Sequence, residues 1–262
     1  MSEGRVLAVA NQKGGVGKST VAANLAAAYG AMGQKVLFVD IDPQTDGTNM
    51  FGVASSGAQT IIHLLTNTPF AECVQREVVP GVDLIPGSTE MKDLEQVLVT
   101  KSFRETYLAK ALQEDAPSYD LLIVDCPPNL GVLTVNALCA AQEVLIVISM
   151  TDRNAYKGTM ALVGTVGELQ QSGVNVRVSG IVRNNVDKRP AEQQRKLYKA
   201  LNKQLLADPT LPVLETEIPM TAAFQNSAAE GYPLIVRRPD HKGAAAIRQV
   251  AEELQVAEVA RA

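Results

Sequence analysis

The chain has 262 residues, 46% of them apolar and 20% charged, and a formal net charge of −4, which suits one α/β domain spanning residues 1–262 with a water-compatible surface. No apolar run approaches the roughly 18 residues of a membrane span, and Glu3 and Arg5 ahead of the first strand do not make a signal peptide. Cys73, Cys126 and Cys139 form no C-x-x-C pair, and His63 and His241 stand alone, which argues against a transition-metal cluster and points to reduced thiols in a cytoplasmic protein.

The apolar run Val6-Leu7-Ala8-Val9 predicts a strand, and Val21 to Ala28 predicts a helix. Between them stands Ala10-Asn11-Gln12-Lys13-Gly14-Gly15-Val16-Gly17-Lys18-Ser19-Thr20. Glycines let such a turn curl until successive N–H groups point at an anion, and the helix behind it adds unpaired donors and a partial positive charge. Lys18 is placed to reach β- and γ-phosphates, and the Ser19 hydroxyl to coordinate Mg²⁺. The usual pattern, G-x-x-x-x-G-K-[ST], puts its first glycine at position 12, which here is Gln12. A second lysine, Lys13, heads the loop.

The resulting K-G-G-V-G-K-S resembles the deviant Walker A motif of the ParA/MinD family of P-loop ATPases. The resemblance implies ATP and Mg²⁺ as ligands, with ATP held by Lys13, Gly14, Gly15, Val16, Gly17, Lys18, Ser19 and Thr20. It also implies a homodimer in the ATP state, in which Lys13 reaches the partner subunit's nucleotide.

Lys35 to Val39 reads as a second strand, ending in Asp40-Ile41-Asp42-Pro43-Gln44 at the edge where open α/β sheets bind ligands. This segment resembles the family's switch I, which implies that Asp42 positions or activates the attacking water and Asp40 supports the Mg²⁺ shell. Residues 45–81 read as loop with one short helix, Ile61 to Leu65; Val82-Asp83-Leu84-Ile85-Pro86-Gly87 reads as a further short strand, and Met91 to Leu112 is helical with a break near Thr100–Ser102. Leu121-Leu122-Ile123-Val124 suits a strand buried on both faces, and Asp125 at its end is the Walker B type of carboxylate, a second Mg²⁺ ligand. Cys126 beside it reads as a packed thiol. The stretch Asn129 to Leu138 resembles switch II.

Glu143 to Ile148 is another buried strand, Ala155 to Gln171 a helix ended by Ser172-Gly173, and Arg177 to Val182 a strand. Asn184-Asn185 follows, where the family reads adenine; Asn184 is a candidate contact, although two asparagines equally fit a turn. Val213 to Pro219 is the last strand, with Pro219 in the family's adenine-side position.

Charge is unevenly spread. Residues 183–203 carry seven basic side chains against two acidic ones, Arg183 and Lys188 among them. On the helix Ala191 to Leu206, Arg195, Lys196, Lys199 and Lys203 share one arc and Leu197, Leu201 and Leu205 the other. Such a face is either solvated surface or a phosphate-backbone contact; with the flanking Arg183, Lys188 and Arg189 it forms a candidate site for non-specific double-stranded DNA. The family commonly has Arg directly after Ile-Pro of the last strand, where this chain has Met220. The closing helix, Lys242 to Val259, carries Glu252, Glu253 and Glu258 and lacks the basic-apolar pattern of a membrane-binding helix.

The expected architecture is a doubly wound, mostly parallel sheet with helices on both faces. The family resemblance implies a slow, partner-stimulated ATPase on the nucleoid, working with a ParB-like centromere-binding adaptor on a plasmid or chromosome. Other cargoes, such as a division regulator, a chemoreceptor cluster or a protein compartment, use the same switch. A metabolic relative, such as the nitrogenase iron protein or dethiobiotin synthetase, leaves the basic helix unexplained.

Overall fold

The structure, a computed structural model, describes residues 4–113 and 118–259; Glu3 lies outside them, as does the side chain of Glu258. In chain order the first elements are β1 (Arg5–Ala10), α1 (Lys18–Ala31), β2 (Val36–Asp40), α2 (Asp46–Asn49), α3 (Ile61–Leu65), α4 (Phe70–Cys73), β3 (Gln75–Val79) and β4 (Val82–Ile85). Then come α5 (Met91–Val99), a 3-10 turn (Arg104–Thr106), α6 (Tyr107–Leu112), β5 (Leu121–Asp125), α7 (Val132–Ala140), β6 (Glu143–Ser149), α8 (Ala155–Gln171) and β7 (Arg177–Val186). The chain closes with α9 (Glu192–Leu206), β8 (Val213–Pro219), α10 (Ala222–Ala229), α11 (Leu234–Arg237) and α12 (Lys242–Val259).

The eight strands form one sheet in the order β3-β4-β2-β5-β1-β6-β7-β8, and every pairing is parallel except β3 with β4. The apolar runs of β1, β2, β5 and β6 put alternate side chains on opposite faces, and both faces are buried. Val6, Ala8 and Ala10 join one core with α5 to α9; Leu7 and Val9 join the other, with α1, α11 and α12. The sheet is doubly wound.

The chain departs from the sequence reading in two places. Residues 45–81 hold β3, α2 and α4 besides the expected α3. β3 was hidden because Arg76 and Glu77 interrupt its apolar pattern; its pairing is secured by Arg76 Nη1 donating to Asp83 Oδ2 of β4 at 2.7 Å. α2 has only four residues, and its Thr48 N–H and hydroxyl both donate to Asp40, a contact no local pattern announces. β7 runs on through Asn184 and Asn185 to Val186 instead of turning there, with Asn185 at φ 57°.

Candidate nucleotide site

The site forms at the carboxyl ends of β1, β2 and β5, the central strands. The loop from β1 to α1 is pinned from two sides by asparagines. Asn11 Nδ2 donates to Val147 O at 2.6 Å while its Oδ1 accepts from the Lys13 N–H at 3.0 Å; Asn184 Nδ2 donates to Val16 O at 2.7 Å. Gly17 caps α1 at φ 90°, and a Cβ there would fall 2.4 Å from Asn184 Nδ2. Both the left-handed conformation and the close approach therefore require glycine.

Lys18 is buried, and its Nζ donates to Lys13 O at 3.2 Å. Burial lowers its pKa, with Asp125 and then Asp42 acting against that. A cavity of about 350 Å³ opens over the loop, lined by Gly14, Gly15, Gly17, Lys18, Ser19 and Thr20, by Asp42 and Asp46, and on the far side by Asn184, Asn185, Thr221, Phe224 and Gln225. Val16 is buried beneath it. Pro219, the expected adenine-side residue, ends β8 two residues short of this lining. Asn184 does line the cavity, with its amide nitrogen already engaged by the loop.

The two carboxylates that end β2 and β5 stand side by side, Asp40 in register with Asp125, and both are wholly buried. Their surroundings differ. Asp40 accepts from Thr48 Oγ1 at 2.6 Å, Thr48 N at 2.8 Å and Asp42 N at 3.1 Å. Burial nevertheless pushes its pKa up to about 6. Neither oxygen of Asp125 makes a hydrogen bond of good geometry, although the Ser19 hydroxyl stands near enough to oppose the rise in its pKa. Burial, then the charge of Asp40, pushes the Asp125 carboxyl well above the usual range. A buried carboxylate so poorly satisfied, beside a phosphate-type loop, fits a cation. Among the described residues no group of three or more His, Cys, Asp or Glu could hold a metal unaided. Mg²⁺ usually takes one or two protein ligands and completes its shell with phosphate and water, so Asp125 with the Ser19 hydroxyl would suffice to hold it. Asp42 lines the cavity and accepts from Gln44 N at 2.9 Å; burial raises its pKa and Lys18 opposes the rise.

Two glycines in this shell escaped the sequence reading. A Cβ on Gly47 would lie 2.9 Å from Asp125 Oδ2, and one on Gly87 would lie 2.8 Å from Asp40 Cγ. Each glycine lets backbone close over a carboxylate from another element, so its role is visible only in three dimensions. Asn11 was equally silent, since its partner is 136 residues away.

Lys13 is not part of the lining. Its ammonium pairs with Asp152 at 2.5 Å, beyond β6, and the side chain is 48% exposed. Burial alone would raise the Asp152 pKa; the Lys13 ammonium and the Asn154 N–H outweigh it and hold the carboxyl below its usual value. Cys126 is a buried free thiol whose pKa rises through burial and the Asp125 charge, as a packed residue's should.

On α9, Leu201 and Leu205 are buried and Leu197 half-buried, while Arg195, Lys196, Lys199 and Lys203 are exposed, as is Arg189 before the helix. Glu192 pairs with Arg195 and lies 3.8 Å from Lys196, so part of this charge is neutralised. Arg183 is a correction. It is buried, pairs with Glu217 at 2.9 Å, and donates to Asn202 Oδ1 and to the Leu214 and Glu215 carbonyls, so it belongs to the interior. α12 packs on α1 and β8, and Glu253 accepts from the Glu215 and Thr216 N–H groups, shielding the sheet edge. Among the described residues no helix is long and apolar enough to cross a membrane.

A doubly wound sheet with a glycine loop at the head of α1 and carboxylates ending two adjacent strands defines a P-loop nucleotide-binding protein. A family model described as an AAA domain matches residues 4–179. The chromosome partitioning protein ParA of Myxococcus xanthus is 32% identical over 261 residues, covering 96% of this chain and 88% of that protein. The structure of cobyrinic acid a,c-diamide synthase from Mycobacterium smegmatis with bound ADP and magnesium has a TM-score of 0.83 at 30% identity, covering 99% and 97% of the two chains. The septum site-determining protein MinD from Pyrococcus horikoshii, complexed with Mg-ADP, has a TM-score of 0.74 at 25% identity and 98% coverage of both. The chain belongs to the ParA/MinD family of P-loop ATPases.

Proposed function

We propose that this protein is an ATP-hydrolysing switch that dimerises on ATP, holds double-stranded DNA without sequence preference, and partitions a plasmid or chromosome with a ParB-like centromere-binding adaptor. The observation that carries this reading is the position of Lys13. It heads the phosphate loop yet lies outside its own cavity's lining, half-exposed and paired with Asp152. That placement suits a lysine meant for a second subunit's phosphates.

The loop N–H groups from Gly14 to Thr20 cradle the ATP phosphates, and Lys18 exchanges the Lys13 carbonyl for a phosphate oxygen. Ser19 and Asp125 hold Mg²⁺, with Asp40 fixed behind them by Thr48. Held there by Ser19 and Asp125, Mg²⁺ would supply charge neutralisation for the phosphates. Asp42 orients the attacking water; Asn184 and Pro219 flank the adenine end. Lys13 leaves Asp152 to reach the partner's nucleotide, so ATP binds the dimer better than the monomer, and that differential affinity is what a switch requires. Arg189, Arg195, Lys196, Lys199 and Lys203 contact DNA phosphates, which places the protein on the nucleoid in the ATP state. Hydrolysis, slow until the adaptor accelerates it, releases the DNA.

The likeness to cobyrinic acid a,c-diamide synthase favours a second reading, an ATP-dependent synthetase. That reading leaves the exposed face of α9 without a role. Retention of random-sequence duplex DNA, compared with ATP and ADP across a salt series, separates the two. The switch predicts retention with ATP only, its logarithm falling against log salt with a slope of about −0.9 per phosphate contacted. Equal retention with ADP, or none with ATP at low salt, contradicts it.

A further inference from the structure

The nucleotide cavity holds one more carboxylate than its chemistry uses. Asp46, the first residue of α2, lines it with Asp42 and Lys18 and is exposed. Among the described residues its carboxylate takes part in no ion pair and no hydrogen bond. Two observations put it at the phosphate end. The next residue, Gly47, closes over Asp125, where a Cβ would lie 2.9 Å from Oδ2, so α2 begins against the carboxylate assigned to Mg²⁺. The charge of Asp46 also reaches the two groups beside it. Burial acts first on both Lys18 and Asp42, and after it and other charges Asp46 pushes both pKa values upward.

The turn that presents this acid is firmly held. Thr45 stands at φ 58°, rare for a β-branched residue, and is buried. Its N–H donates to Asp42 O at 2.9 Å, and its own carbonyl accepts from the Asn49 N–H at 3.0 Å. These bonds fix the backbone from Asp42 into α2, and both acids line the one cavity.

A cavity for polyphosphate that carries an idle acid works against its ligand, and more strongly the more charge the ligand brings. Two unit charges about 7 Å apart in a water-like dielectric change an equilibrium about threefold. ATP brings the added charge of its γ-phosphate. The cations on this side are Lys18 and Lys92 of α5, which acts on Asp42 and forms no ion pair among the described residues. Their contribution is the same whether or not Asp46 keeps its charge. We propose that Asp46 is a specificity-determining residue, whose carboxylate opposes the γ-phosphate and shifts the preference of a single subunit from ATP toward ADP. A subunit so biased keeps its product and reloads slowly after hydrolysis. The proposal rests on the ATPase reading of this site.

The test is titration of fluorescent ATP and ADP analogues, with Mg²⁺, into wild type, Asp46→Asn and Asp46→Glu at protein concentrations where light scattering shows monomer. Asp46→Asn, which keeps the size of the side chain, should gain about threefold more affinity for the ATP analogue than for the ADP analogue at about 0.05 M salt, the difference closing at about 1 M. Asp46→Glu keeps the charge and should stay close to wild type. Equal gains for both analogues, a difference that survives high salt, or an Asp46→Glu protein that behaves as Asp46→Asn does overturns the proposal. Weaker ATP binding with a raised Mg²⁺ requirement in Asp46→Asn overturns it as well, by making the carboxylate a metal ligand. A wild type that binds neither analogue would sink the ATPase reading itself, a result distinct from any of these.

Discussion

Asp125 shows how the site trades stability for chemistry. Its oxygens make no hydrogen bond of good geometry, and Asp40 stands alongside. Both carboxyls titrate above their unfolded values near 4, Asp40 at about 6. Between the unfolded and folded values the folded chain holds more protons than the unfolded one, so without Mg²⁺ stability falls as pH rises from 5 to 7. Asp125→Asn removes a buried charge. It should stabilise the metal-free protein by about 1–3 kcal/mol at pH 7 and flatten that pH dependence, while abolishing Mg²⁺-dependent hydrolysis. Urea unfolding at the two pH values reads the first effect and phosphate release the second. Lys18→Ala should lose ATP binding in titration with a fluorescent analogue, whereas Asp42→Ala should bind ATP normally and hydrolyse it at least a hundredfold more slowly, on the scale of lost general-base or water-positioning groups. Normal turnover by Asp42→Ala would remove that residue from the chemistry.

At the scale of elements, the phosphate loop and its flanking β1 and α1 were legible because their information is local: a glycine spacing, an apolar run, a helix of alanines. β5 with Asp125 was legible for the same reason. What the sequence hid is contact between distant segments. Gly47 and Gly87 look like loop glycines until carboxylates of β5 and β2 are found beneath them. Arg183 looked like one more cation of a basic stretch, because its place in a strand facing Glu217 depends on β7 continuing past Val182. That difference is measurable. Arg183→Ala should cost about 1–3 kcal/mol of stability, read by urea unfolding, because the Asn202 amide oxygen and the Leu214 and Glu215 carbonyls lose their donor while Tyr198 still donates to Glu217. Replacing Arg189, Arg195 and Lys199 of the α9 surface by Glu should leave the unfolding midpoint within a few degrees and remove ATP-dependent retention of duplex DNA. Unchanged retention at moderate salt would move the DNA surface elsewhere.

At the scale of the whole molecule, the account turns on one lysine changing partners. The Lys13–Asp152 pair is half in water, and such pairs are worth about 0.2–1 kcal/mol, a factor of up to about five in an equilibrium. Two such pairs break per dimer, so Asp152→Asn should let the ATP-state dimer form at up to about 25-fold lower protein concentration, with nucleotide affinity of the monomer unchanged. The most direct measurement is mass in solution by light scattering with a non-hydrolysable ATP analogue and Mg²⁺, for wild type and Lys13→Ala. The account predicts twice the monomer mass for wild type and the monomer mass for Lys13→Ala, with both proteins binding the analogue. A stable Lys13→Ala dimer, or a wild type that stays monomeric at saturating analogue, would contradict it.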